Sequence, residues 1–108
     1  MKRALFTAFC LFLVIEAAPR SEDIPVLVIK NHRFIPDTVT VKAGERFKLT
    51  VRNEDATSEE FESKTMIVEK FIGPGKSMTL TLGPLKPGVY EFFGEFHLST
   101  AQGKLIAK

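Results

Sequence analysis

The chain has 108 residues and a formal net charge of +2, from 15 lysines and arginines against 13 aspartates and glutamates. That length allows one small domain. The basic residues are scattered singly, which excludes a nucleic-acid stripe or a polybasic membrane patch, and the lone cysteine, Cys10, excludes an intrachain disulfide.

In chain order, the first predicted element is a leader. Met1-Lys2-Arg3 and the apolar residues through Ile15 have the form of a secretory signal peptide, expected over residues 1–18. The apolar run is short of the roughly 20 residues that span a bilayer. Glu16 spoils the small-x-small cleavage pattern, so an uncleaved N-terminal anchor is the alternative. Cys10 follows Phe9 rather than a small residue, which argues against lipidation, and it leaves with the leader. The mature domain, expected over 24–108, is then near neutral, without a thiolate and without a membrane span.

The mature part reads as short strands with turn punctuation. Pro25–Lys30 is a nearly continuous apolar run, as in a buried strand. Thr38–Lys42 alternates, with Val39 and Val41 on one side, and Ala43-Gly44-Glu45 is a turn. Phe47–Arg52 alternates with its apolar side at 47, 49 and 51, and Asn53-Glu54-Asp55 begins a polar loop. Residues 59–68 fit either a strand or a short irregular helix. Gly73-Pro74-Gly75 breaks the chain before the alternating Met78–Leu82, and Pro84–Gly88 forms a corner before Val89–Phe93. Lys104–Ala107 closes the sheet. The pattern predicts an all-β fold, an antiparallel Greek-key β-sandwich of about seven strands, with no repeat and no second domain.

Several residues carry possible chemistry. If Phe61 is a core residue, strand alternation turns Glu59 inward too. An inward carboxylate is costly without a cation or several donors, which a metal, Lys64 or Arg33 would supply. Glu60 and Glu62 alternate away, toward solvent or, in an irregular segment, into an acidic rim. His32 and His97 are the only histidines. Each is a candidate metal ligand, with a backbone-bonded loop His or a surface His as the plain alternative. Glu95, two residues before His97, shares a side with it if the segment is extended. It would then ligate directly or orient the imidazole, and otherwise it is a solvated loop residue. Met66 and Met78 belong to apolar faces. No cysteine nucleophile, Ser-His-acid arrangement or phosphate loop is legible.

Three fragments resemble the small secreted cupredoxins. They are Phe34-Ile35-Pro36-Asp37 with Val39, Val41, Ala43-Gly44 and Asn53; Gly83–Gly88 leading to Tyr90 and Phe92; and His97 through Gly103-Lys104-Leu105. In that family the ligand loop lies between the last two strands, and a blue-copper site there takes a thiolate, an imidazole and a weak thioether. Here the imidazole position holds His97, the thiolate position Gly94 and the thioether position Ala101. The first-ligand position, six residues after Asn53, holds Glu59 in place of a histidine. The segments Asn53–Ser63, Glu69-Lys70 and Phe92–His97 resemble more narrowly a cysteine-less branch that accompanies bacterial ferrous-iron permeases and a periplasmic iron-binding protein.

What the resemblance implies is a periplasmic metal-binding accessory to ferrous-iron uptake, carrying a copper or iron ion. The expected ligands, in order, are His97, Glu59, Glu95 and His32, a harder set than the blue-copper one and suited to iron or Cu(II). Ferroxidase activity is one expectation for it, and metal binding or electron transfer without turnover is the other. The competing expectation is a metal-free β-sandwich interaction module whose loops contact a permease or another partner protein.

Overall fold

A computed structural model describes residues 24–108. The leader expected over 1–18, with Cys10, lies outside the described residues. The strands are β1 (Val26–Lys30), β2 (Arg33–Ile35), β3 (Thr38–Val41), β4 (Phe47–Asn53), β5 (Glu59–Ser63), β6 (Val68–Ile72), β7 (Ser77–Leu82), β8 (Gly88–Phe93) and β9 (Gln102–Ala107). A single 3-10 turn among the described residues, Glu95–His97, sits between β8 and β9.

They form two sheets, β2-β1-β4-β7 and β3-β9-β8-β5-β6. The two-sheet all-β expectation holds, with two differences. Among the described residues there are nine strands, because Asn31-His32 makes a hairpin that adds β2, and because the 59–68 segment is a strand, a turn and the start of β6. The sheets are also mixed: β1 pairs with β4, and β3 with β9, in parallel. In each case the paired strands are joined through the opposite sheet, so they meet running the same way.

The core follows from alternation. Leu27 and Ile29, Val39 and Val41, Leu49 and Val51, and Leu105 and Ala107 face between the sheets. Phe34, Phe61 and Phe92 pack edge-on or tilted with centroids 5.0–6.1 Å apart, spacings at which aromatic pairs add to plain area burial. Gly103 makes room for them, since a Cβ there would lie 2.4 Å from the Phe92 ring. The inward periodicity continues through polar residues: Asn53, Glu59 and Ser63 are as buried as the apolar core. Asn53 donates to Thr57 O and Ile72 O and accepts from Asp55 N–H, knotting the β4–β5 loop. Ser63 donates to Glu91 O and accepts from Met66 N–H.

Three loops gather at one end. The β1–β2 turn has Asn31 and His32 in the left-handed region (φ 52° and 58°), the pattern of a two-residue type I′ hairpin. Both of their N–H groups donate to the Asp55 carboxylate of the β4–β5 loop. The β8–β9 loop is closed by Gly94 N–H to Ala101 O and Ala101 N–H to His97 O, each 2.8 Å.

Candidate metal centre

Glu59 opens β5 with its side chain turned inward, as Phe61 predicts. Neither Lys64 nor Arg33 neutralises it. One carboxylate oxygen, Oε1, accepts the backbone N–H of Glu60 and of Phe96, each at 3.0 Å. The other, Oε2, lies 2.5 Å from Nδ1 of His97. An ionised carboxylate only accepts, so Nδ1 faces it as the donor and the ring's orientation is fixed. Three donors offset the desolvation of a carboxylate that is 1% exposed. His32 lies flat on the other side of His97, ring centroids 3.5 Å apart and 11° from parallel, with its Nε2 3.4 Å from Thr57 Oγ1.

His97, Glu59 and His32 are therefore neighbours. Glu95 is elsewhere. Its pairing with His97 was expected of an extended segment, whereas the segment is a 3-10 turn, in which residues two apart diverge by about 120°. Glu95 joins Glu60, Glu62 and Glu69 instead, and ligand oxygens of all four lie within 4.8 Å of one another.

This second group is built by register. Glu60 and Glu62 project from β5 on the side away from the core. Glu69 of β6 stands directly opposite Glu62, and Phe93, two residues before Glu95, stands opposite it on β8. Like charges facing each other across a sheet repel, and among the described residues no lysine, arginine or histidine pairs with any of the four. Glu60 Oε2 and Glu62 Oε2 are buried without a hydrogen-bond partner. A hydrogen bond shared with Glu95, then desolvation and repulsion from Glu95, Glu69 and Glu60, pushes the Glu62 carboxyl up to about 7. Glu60 is raised by desolvation, then by Glu69 and Glu95. An open groove of about 710 Å³ reaches the group across β8 and β9, bordered by Glu62, Glu95, Phe93 and Lys104.

Strand alternation by itself places Glu60 and Glu62 either toward solvent or in an acidic rim, and it says nothing of where Glu69 stands; the pairing of Glu69 with Glu62 decides for the rim. The available signal was the Glu60/Glu62 alternation; the missing one was the β5–β6 register.

A family model described as the cupredoxin-like domain matches residues 3–107, and the chain belongs to that family. It is similar to an uncharacterised protein of Rickettsia prowazekii (strain Madrid E), 46% identical over 80 residues, 74% of this chain and 64% of that protein. The match thus spans less than two thirds of that relative's length. Among solved structures, an amicyanin mutant in its Cu(I) form superimposes with a TM-score of 0.66 at 18% identity, covering 86% of this chain and 87% of that one. Amicyanin from Paracoccus versutus gives 0.64 at 20%, covering 80% and 82%. Dithionite-reduced auracyanin from Roseiflexus castenholzii gives 0.66 at 16%, covering 79% and 96%. At these identities the likeness shows the fold alone.

A blue-copper centre does not fit the residues present. Gly94 and Ala101 supply no sulfur, and the space in front of them is taken. A Cβ built on Gly94 would lie 2.5 Å from Glu59 Cδ, 2.7 Å from its Oε1 and 2.8 Å from Ala101 Cβ. Among the described residues, the possible ligand groups that converge three or more together are the carboxylates of Glu60, Glu62, Glu69 and Glu95.

Proposed function

We propose that this protein is a secreted, periplasmic cupredoxin-like domain that binds a hard metal cation, iron before copper, at Glu60, Glu62, Glu69 and Glu95, and that it serves ferrous-iron uptake. The observation that carries the reading is the convergence of four carboxylates that, among the described residues, form no ion pair, two of them with buried oxygens lacking a hydrogen-bond partner. Such a cluster is self-repelling when empty and is relieved by a cation. All-oxygen ligation favours hard ions, disfavours Cu(I), and stabilises Fe(III) over Fe(II). That preference supports Fe(II) oxidation as a role of the site, alongside simple delivery to a permease or a periplasmic iron-binding protein. A single site passes one electron at a time, so turnover requires an external acceptor. On this reading His97, Glu59 and His32 support the site from the other face of β5, and Glu95 is the one of the four sequence-derived candidates that reaches the cation.

The deciding experiment is isothermal titration of the metal-stripped protein with Fe(II) under anaerobic conditions, repeated with Cu(II). One-to-one binding of Fe(II), weakened by about tenfold in Glu62→Gln and in Glu95→Gln, is the expected result. Binding of neither ion would sink it. That outcome would favour the second reading, a metal-free interaction module. This alternative draws on Phe71, Phe96 and Leu98, each about half exposed, with the Phe71 and Phe96 rings in edge contact at 6.2 Å beside the acidic group.

A further inference from the structure

The poor fit of the blue-copper centre has a positive side. Glu59 is not idle in the place where that metal would lie. Its Oε1 accepts from the backbone N–H of Glu60, on β5, and from that of Phe96, in the 3-10 turn. Glu60 is itself one of the four clustered carboxylates, and Phe96 directly follows another, Glu95. One buried carboxylate on the inner face of β5 therefore fastens together the two backbone segments that present Glu60 and Glu95 on the outer face. His97 closes the arrangement from the same turn by binding the second oxygen. Gly94 is the residue that admits the carboxylate, because any side chain at that position meets Glu59 first.

We propose that the Glu59–His97 pair is a chain-supplied replacement for the copper ion, and that Glu59 is the positioning residue of the four-carboxylate site, holding the β8–β9 loop in place without metal. The inference rests on the cation reading of that site, which Glu59 itself does not touch. Two consequences separate it from a purely local structural role. A carboxamide at 59 keeps an oxygen for both backbone donors, so Glu59→Gln retains the positioning, whereas Glu59→Leu loses it. The Phe96 amide, although in an exposed turn, is tied to a buried acceptor and exchanges slowly with solvent.

The test uses the full metal-stripped chain with Mn(II) as the probe, its binding followed by loss of the free-ion electron paramagnetic resonance signal, together with amide hydrogen exchange. Loss of a group that orients a ligand costs about tenfold or more in metal affinity. Glu59→Leu should therefore bind Mn(II) about tenfold more weakly, and Glu59→Gln within about threefold of the parent. Phe96 should exchange slowly in the parent and in Glu59→Gln. Fast exchange of Phe96 in the parent protein overturns the proposal without any variant, so a Glu59→Leu chain that fails to fold leaves it testable. Parent-like affinity in a folded Glu59→Leu chain also overturns it. Failure of the parent to bind Mn(II) counts against the cation site itself, and the Phe96 exchange rate then decides the role of Glu59 alone.

Discussion

Two neighbouring glutamates on β5 receive opposite treatment. Glu59 faces the interior and meets three donors, so its charge is satisfied by the protein. Glu60, one residue on, faces the other way into three more carboxylates, and one of its oxygens is buried with no partner. The difference teaches that burial alone does not mark a metal site. The more deeply buried carboxylate is the closed one, and the incompletely satisfied group on the sheet's outer face is the one left open to a cation.

The first way to break this comparison is through the residue between the two groups. Phe61 packs inward between Phe34 and Phe92, and truncating a buried phenylalanine costs about 3–5 kcal/mol. Phe61→Ala should lower stability by that amount with or without metal, as read by denaturant unfolding. A loss seen only in the metal-bound form would mean that β5 is held by the ion rather than by its core.

The inner group can be forced open next. Gly94→Ala drives a Cβ into Glu59 and Ala101, and overpacking of this kind costs about 1–3 kcal/mol. Unchanged unfolding would mean that the loop yields freely and that Glu59 does not fill the pocket tightly.

The outer group should respond in binding rather than in folding. Glu62→Gln removes one ligand and one repelling charge. It should weaken Fe(II) binding by about tenfold, equivalent to about 1.4 kcal/mol, while raising the melting temperature of the metal-free protein at pH 8. A variant that binds more weakly and is also less stable would contradict the picture of a repulsive empty site.

The smallest expected effect is a pH dependence of that same repulsion. The Glu62 carboxyl is raised in the fold from 4.5 to about 7. The folded state therefore holds its proton more tightly than the unfolded chain does. The stability this contributes is complete below about pH 4.5 and is lost as pH rises toward about 7. Melting temperatures of the metal-free protein should fall across that window, and the fall should flatten in Glu62→Gln. A rise with pH in the parent that Glu62→Gln leaves unchanged would assign the dependence to other groups.

Much of this was legible in the chain itself. Alternating apolar residues with Gly and Pro punctuation specify a β-sandwich, because strand periodicity reports directly on which face is buried. The same alternation, extended from Phe61, correctly turned Glu59 inward. The Phe-x-Pro start, the Ala-Gly turn and the position of His97 carried the family likeness, and Gly94 and Ala101 ruled out a sulfur-ligated copper.

What the chain could not disclose lies in contacts between distant segments. The parallel pairings of β1 with β4 and of β3 with β9 depend on how strands return through the opposite sheet. The face-to-face stacking of His32 on His97, far apart in sequence but on loops gathered at one end of the sandwich, is set by how those loops pack. The turn at Glu95–His97 sends one side chain to the outer cluster and the other to Glu59, a divergence set by local helical geometry that an extended reading misses. The β5–β6 register places Glu69 against Glu62. Periodicity says which way a side chain points, but only the packed sheet says which others it meets, and the chemistry of this protein depends on those meetings.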